Sequence, residues 1–92
     1  MQKKIIVKIP NGKLLKLFLS VEDSIIQNIQ ITGDFFAYPE EAIVQLEQRL
    51  CQHTINKEQL HETIHSVVAE HNIEFFGITE DALVDAIMQV IK

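Results

Sequence analysis

Residues 31–50, ITGDFFAYPEEAIVQLEQRL, contain the point at which the hydrophobic period of the chain changes. Before Pro39 the apolar side chains alternate with polar ones, which is the period of a β-strand with one buried face. After Pro39 they recur every three to four residues, which is the period of an amphipathic helix. The stretch therefore predicts strands over residues 1–36 and a helical part over residues 39–92.

The bulk composition predicts one small folded domain over residues 1–92. A hydrophobic fraction of 47% and a charged fraction of 23% are ordinary for a soluble chain. No apolar run approaches the roughly 18 residues of a membrane span, and no signal peptide opens the sequence, so we expect no membrane association. The single cysteine, Cys51, excludes an internal disulfide and a four-cysteine metal site. It indicates a reducing compartment, and we expect the cytoplasm.

Charge is distributed unevenly along the chain. The net charge is −5, yet five of the eight basic residues precede Glu22, the first acidic residue. These five are Lys3, Lys4, Lys8, Lys13 and Lys16. The asymmetry indicates either a basic edge that faces an anionic partner or solvated lysines that guard an edge strand. An acidic chain without an aromatic and basic cluster is not typical of a nucleic-acid-binding protein.

The stretch IPNG, residues 9–12, predicts the first β-hairpin. A two-residue Asn-Gly loop would mix lysines into the buried face of the hairpin. A type I turn over residues 9–12, with Gly12 left-handed in a bulge, instead pairs Val7 with Leu15. This register keeps the lysines mostly on the other face, and a slip of one residue would swap the faces, so we expect it to be the correct one.

A third strand is predicted over residues 25–32, after a turn at residues 22–24. Ile25, Ile29 and Ile31 are expected on its buried face, and Asn28, Gln30 and Thr32 on the other. The three strands form an antiparallel meander with one face to be covered.

Three amphipathic helices are predicted to cover that face. The first begins at Pro39 with Glu40 and Glu41 in its first turn, where acidic side chains interact favourably with the positive end of the helix dipole. Its expected buried stripe is Ile43, Leu46 and Leu50. The second begins at Asn56, with Gln59 as its capping-box partner. Its expected buried stripe is Leu60, Ile64, Val67 and Val68.

The third helix is predicted to have Thr79 as its N-cap. Ile78 and Leu83 are spaced for a hydrophobic staple at the same end. The expected buried stripe is Leu83, Ile87, Val90 and Ile91. The predicted fold is α+β, a three-stranded antiparallel β-meander followed by three amphipathic helices packed on one face.

The stretch HETIHSVVAEH, residues 61–71, contains the H-E-x-x-H pattern of zinc proteases. Helical periodicity places His71 on the buried side with the apolar stripe, and His61 and His65 on its edge. It also turns Glu62 toward solvent, away from any metal-bound water. Val68 stands where the extended signature requires a helix-breaking glycine. We therefore predict surface histidines and no metal site, and we expect no partner for His53 in its loop.

Aromatic residues are concentrated in the connection between the meander and the first helix. Phe35 and Phe36 are adjacent, so in extended backbone one points inward and the other outward. With Tyr38 they are typical either of core residues between sheet and helix or of the anchors of a binding interface. Asp34 is expected to cap a turn through its side chain.

Three stretches resemble the accessory domain of lipoate–protein ligases, in particular the form encoded as a separate small subunit. They are NGKLLKLFL (residues 11–19), ITGDFFAYPEEAIVQLEQRL (residues 31–50) and FFGITEDALVDAI (residues 75–87). The resemblance runs in order over nearly the whole chain, and GDFF followed by P-E-E is its most specific part. Asn11 stands where the glycine-glycine-lysine turn of the family has its first glycine. The histidine-rich stretch lies outside these motifs.

The resemblance implies a non-catalytic accessory subunit that forms a heterodimer with a catalytic large subunit. ATP, lipoate and Mg are expected to bind in that complex, and no cofactor is expected on this chain alone. The large subunit makes lipoyl-AMP and transfers lipoate to a lysine of a lipoyl domain, which is an indirect partner. The residues expected at the subunit interface are Gly33, Asp34, Phe35, Phe36, Tyr38 and Lys13.

An alternative interpretation is a sulfur-acceptor or iron–sulfur assembly protein. A cluster scaffold of this type uses three cysteines, whereas a sulfur acceptor needs one, and Cys51 is available. Its expected place at the end of the first helix favours a buried or half-buried structural thiol instead.

Overall fold

A three-stranded antiparallel meander forms one layer of the structure, and three helices form the other. The computed structural model describes residues 2–9 and 13–89. The strands of the meander, in their spatial order, are β1 (Gln2–Ile9), β2 (Lys13–Glu22) and β3 (Ile25–Gly33). The later elements are β4 (Phe36–Tyr38), α1 (Ala42–Leu50), α2 (Lys57–His71), β5 (Glu74–Phe76) and α3 (Glu80–Met88). The predicted α+β fold is confirmed.

The register of the first hairpin is the one predicted from the side-chain pattern. Val7 lies opposite Leu15, so the apolar side chains of both strands share the buried face. The predicted turn with a left-handed Gly12 lies outside the described residues. The second hairpin closes through Asp23 and Ser24, whose φ angles of 53° and 61° match the two-residue type I′ turn favoured between twisted strands.

A β-bulge changes which side chains of the third strand are buried, so the observed faces differ from the predicted ones. Ser20 lies opposite Asn28 but Val21 lies opposite Ile26, so β3 carries one extra residue at this point. As a result Ile26 is fully buried and Ile25 is only half-buried. The expectation that Ile25 shares the buried face was wrong, because the bulge interrupts the two-residue alternation on which it rested. Ile29 and Ile31 are buried as predicted.

A second, two-stranded sheet was not predicted. Its strands, β4 and β5, are antiparallel and three residues long. They come from either side of the α1 and α2 segment. We call this pair the aromatic ribbon, since it contains Phe36, Tyr38, Phe75 and Phe76.

The first helix begins at Ala42 and not at Pro39, as the sequence had indicated. Tyr38 is still extended and pairs with Glu74, so the chain must turn before a helix can form. Residues 39–41 make that turn, in which the Ala42 N–H donates to the Pro39 carbonyl at 2.9 Å, and the Tyr38–Pro39 peptide is cis. The two predicted first-turn glutamates therefore precede the helix.

The other two helices begin where their predicted caps place them. Asn56 Oδ1 accepts a hydrogen bond from the Gln59 N–H at 3.1 Å, and Thr79 Oγ1 accepts one from the Ala82 N–H at 3.1 Å. Each cap satisfies a backbone donor that the first turn of a helix leaves without a partner. α2 ends at Asn72, which is left-handed with φ 52°.

The core lies between the inner face of the meander and the helices. Its fully buried side chains of largest volume are Leu15, Leu17, Ile26, Leu46, Leu50, Leu60, Ile64, Leu83, Ile87, Val67 and Val84. The predicted stripes hold except that Ile43 and Val68 are half-buried, and Val90 and Ile91 lie outside the described residues. Ala42 is buried in α1, where Ile43 was expected. None of the helices within residues 2–9 and 13–89 has the length and apolarity needed to cross a membrane.

The outer edge of β3 is covered by side-chain and loop groups. The Glu47 Oε2 atom accepts a hydrogen bond from the Ile31 N–H at 2.8 Å. Further along, Ile26 donates its N–H to the His53 carbonyl and accepts from the Gln52 N–H. This arrangement occupies donors that an edge strand would otherwise offer to another chain.

Replacing Glu47 with alanine should lower the free energy of unfolding by about 1–2 kcal/mol, because the partly buried Ile31 N–H loses its acceptor. Urea denaturation monitored by circular dichroism would measure the loss. Glu47→Gln keeps an acceptor oxygen and should recover most of it, whereas Gln48→Ala, an exposed change on the same helix, should have little effect. Equal stabilities of Glu47→Ala and Gln48→Ala would contradict the assignment.

Candidate functional site

The aromatic ribbon has an inner face on the core and an outer face in solvent. Ala37 and Phe75 lie opposite each other and pack partly buried against the core. Phe36 and Phe76 form the adjacent pair on the outer face and are 77% and 53% exposed, and Tyr38 is 67% exposed. Successive residues of a strand point to opposite faces, so the ribbon holds these three rings on one side. Three exposed rings on one side are characteristic of a binding surface.

The two adjacent phenylalanines at the start of this ribbon point in opposite directions, as the sequence predicted. Phe35 is half-buried and packs against the core, whereas Phe36 is directed outward. Phe35 thus fits the core alternative, whereas Phe36 is exposed and its place at an interface stays a prediction. The result follows from the extended backbone of the connection, which sends neighbouring side chains in opposite directions.

Gly33 and Asp34 hold the connection tightly against β2. The Asp34 N–H donates to the Leu14 carbonyl at 2.9 Å. Asp34 thus holds the connection through its backbone, whereas a side-chain cap was expected. Gly33 has φ of 152°, and a Cβ atom placed on it would lie 2.2 Å from the Leu14 carbonyl oxygen. Only glycine fits this close approach of two backbone segments. The predicted site residues Gly33 and Asp34 therefore have a structural role that fixes where the ribbon starts.

Lys13 lies next to the same region, at the start of β2. A Cβ atom placed on Gly77 would lie 3.5 Å from Lys13 Cγ and 3.5 Å from Phe35 Cβ. Lys13 and Phe35 therefore converge on Gly77, the residue that follows β5. Phe35, Phe36 and the exposed Lys13 thus lie at the end of the aromatic ribbon next to Gly77, whereas Tyr38 lies at its other end, opposite Glu74.

Phe76 belongs to this surface and was absent from the predicted interface. Its pairing with Phe36 joins two segments that are far apart in sequence, and no local period reveals such a pair. A signal was present nonetheless, since the chain contains a second Phe-Phe dipeptide at residues 75 and 76. In a strand the second dipeptide must divide its rings between core and solvent as the first does.

The histidine pair of the zinc-protease pattern contacts carboxylates at the start of α3. His61 Nε2 lies 2.8 Å from Asp81 Oδ1, and His65 Nδ1 lies 3.1 Å from Glu80 Oε1. Each imidazole thus pairs with its own carboxylate at the surface. In the part of the chain that the structure describes, no group of three or more histidine, cysteine or acidic residues is arranged to hold a metal ion. The predicted surface position of both histidines is confirmed.

Two expectations for the other histidines were wrong, namely the buried side of the helix for His71 and the lack of a partner for His53. His71 is exposed, because it occupies the last turn of α2, where the chain leaves the core toward the left-handed Asn72. His53 has partners: its Nε2 lies 2.7 Å from Thr63 Oγ1 and its Nδ1 lies 2.6 Å from the Thr54 carbonyl oxygen. It connects the loop after α1 to the second helix, a contact between distant residues that no local pattern predicts.

Cys51 is the C-cap of α1 and is partly buried. Its N–H donates to the Glu47 carbonyl at 3.2 Å, so the residue closes the last turn of the helix. This is the half-buried position that the sequence favoured for a structural thiol.

Comparison with known proteins finds similarity to one protein family and to a solved structure. The family model described as the bacterial lipoate protein ligase C-terminus matches residues 2–87. A similar fold occurs in a structure of an archaeal lipoylation system, a bi-partite lipoate protein ligase and its E2 lipoyl domain from Thermoplasma acidophilum. The TM-score is 0.82 at 25% sequence identity, over 95% of this chain and 94% of the matched chain. No curated protein matches the chain.

Proposed function

Because the chain belongs to the family of the bacterial lipoate protein ligase C-terminus, we propose that it is the accessory subunit of a bipartite lipoate–protein ligase. It forms a heterodimer with a catalytic large subunit and is itself non-catalytic. The large subunit activates lipoate with ATP to lipoyl-AMP, with release of pyrophosphate, and transfers the lipoyl group to a lysine amine of a lipoyl domain, with release of AMP. The similar archaeal structure supports the proposal, since it contains a ligase in two parts and matches this chain over nearly its full length.

The observation that carries the proposal is the outward face of the aromatic ribbon. Phe36, Tyr38 and Phe76 are the most exposed aromatic side chains within residues 2–9 and 13–89. Aromatic rings of this kind supply much of the binding energy when a partner removes them from water. A rigid two-stranded ribbon fixed to the core also loses little conformational freedom on binding, which favours affinity.

The proposed contribution to catalysis is the positioning of substrates by the large subunit. Binding at the ribbon orders a loop or closes a lid over the adenylation pocket of that subunit, so that the lipoate carboxylate meets the α-phosphorus of ATP in a reactive geometry. ATP, lipoate and Mg are all placed on the large subunit. We place the complex in the cytoplasm, in line with the reducing environment that the single cysteine indicates.

The proposal is tested by measuring lipoyl-AMP formation by the purified large subunit with and without this chain. We expect adenylation to be at least about tenfold slower without it, since a change of this size corresponds to about 1.4 kcal/mol of lost positioning. Pyrophosphate release provides a continuous readout, and an unrelated acidic protein at the same concentration controls for crowding. Equal rates in the two reactions would rule out the accessory role.

A further inference from the structure

The face of the meander opposite the helices is a second surface, separate from the aromatic ribbon. We call it the open face. Cross-strand pairing aligns Lys4 with Phe18 and Gln30 in one row. The next row is Ile6, Lys16 and Thr32, and beyond it Lys8 lies opposite Leu14. The ribbon packs on the core, whereas the open face lies on the other side of the sheet.

The open face combines positive charge with exposed apolar area. Its basic residues are Lys4, Lys8 and Lys16, and Glu22 at the end of β2 is the one acidic side chain that shares their face within the described strands. Among these lysines lie two exposed apolar side chains, Phe18 at 41% and Ile6 at 53% exposure. The Lys4 ammonium lies 5.5 Å from the centre of the Phe18 ring, a cation–π contact that holds both side chains.

A shallow groove runs beside Phe18 on this face. Its volume is about 360 Å³, and Lys4, Asn28 and Gln30 contribute to its lining. The groove offers amide and ammonium donors next to an aromatic ring. Such a combination fits a protein surface that presents a carboxylate beside an apolar side chain.

We infer that the open face binds the lipoyl domain, the acyl acceptor of the proposed reaction, through an acidic patch on that domain. The inference rests on the proposed function, and the similar archaeal system includes such an acceptor as its third component. Because the catalytic subunit occupies the ribbon, the open face stays accessible in the heterodimer. Its lysines then guide the acceptor by complementary charge.

A folded acidic partner fits this surface better than a nucleic acid does. The chain as a whole has a net charge of −5, so its long-range field repels a polyanion. Charged groups beyond about 10 Å are screened at ordinary ionic strength, however, and a partner with a local acidic patch experiences mainly the lysines. The polar residues between them, such as Asn28 and Gln30, match a protein surface in which contacts of mixed character are normal.

The test uses the complete heterodimer with the double variant Lys4→Glu/Lys16→Glu. We expect the KM for the lipoyl domain in the transfer step, and the Kd for its unmodified form, to rise about tenfold or more. The difference in KM and Kd between the variant and the wild type should decrease as salt is added, because screening weakens the attraction between the wild-type lysines and the acceptor. The control variant Arg49→Glu/Lys57→Glu reverses the same number of charges at exposed positions on α1 and α2, off the open face, and should bind the acceptor nearly as well as the wild type.

Adenylation in the absence of acceptor separates this inference from the proposed function. It should proceed at the wild-type rate with the Lys4→Glu/Lys16→Glu variant. If the glutamate variant folds poorly, the milder variant Lys4→Gln/Lys16→Gln replaces it in the test. This variant removes charge without adding any and should raise the KM by a smaller factor. Unchanged acceptor binding would overturn the inference, as would weakened heterodimer assembly or a preference of the open face for nucleic acid over the lipoyl domain.

Discussion

Replacing Phe36 and Phe76 together with alanine should weaken binding to the catalytic subunit by about 100-fold or more, which corresponds to about 2.7 kcal/mol. The two rings lie opposite each other on the outer face of the ribbon, and each is more than half exposed in the isolated chain. A partner that covers both removes a large apolar area from water, so both truncations remove binding energy. Isothermal titration calorimetry with the purified large subunit would measure the change.

The stability of the isolated double variant should be close to that of the wild type, because the rings removed are outside the core. Val44→Ala is a matched control, since Val44 is 48% exposed on α1 and is not part of the ribbon. It should leave the Kd unchanged. Because Phe36 and Phe76 are neighbours, the single variants are not expected to add up to the double variant. A Kd unaffected by the double substitution would show that the catalytic subunit binds elsewhere.

Replacing Gly33 with alanine should lower the free energy of unfolding by about 2–4 kcal/mol. The added Cβ would lie 2.2 Å from the Leu14 carbonyl oxygen, so one of the two backbone segments has to move. The Asp34–Leu14 hydrogen bond, at 2.9 Å, lies at the same place and should weaken with that movement. Urea denaturation would give the free energy directly.

Gly77→Ala is the matched comparison for Gly33→Ala. Gly77 also has a positive φ, of 92°, but the nearest atoms to an added Cβ are side-chain carbons at 3.5 Å. Its substitution should therefore cost only the backbone strain of about 1–3 kcal/mol, without a steric clash with the main chain. If Gly33→Ala kept full stability and only lost affinity for the catalytic subunit, the glycine would act at the interface and not in the fold.

Much of the fold could be predicted because short-range patterns determine it. The register of the first hairpin follows from keeping Val7 and Leu15 on one face, and any slip exposes them. The starts of α2 and α3 follow from Asn56 and Thr79, whose side chains accept the first free backbone donors.

The remaining features depend on contacts that short-range patterns do not contain. The bulge in β3 exchanges Ile25 for Ile26 on the buried face, although the alternation with Ile29 and Ile31 favoured Ile25. Pro39 suits the first position of a helix, but the pairing of Tyr38 with Glu74 delays the start to Ala42. Strands of three residues are also too short for their alternation to be recognised.

The pairing of β4 with β5 also forms the proposed docking surface, because it joins two segments that are distant in sequence. Phe36 and Phe76 come from segments on either side of α1 and α2, so they become neighbours only when the chain between them folds back. A misfolded or truncated copy therefore presents half of the surface at most. The catalytic subunit would then bind only complete and correctly folded copies of the chain, so that incompletely folded copies stay out of the heterodimer.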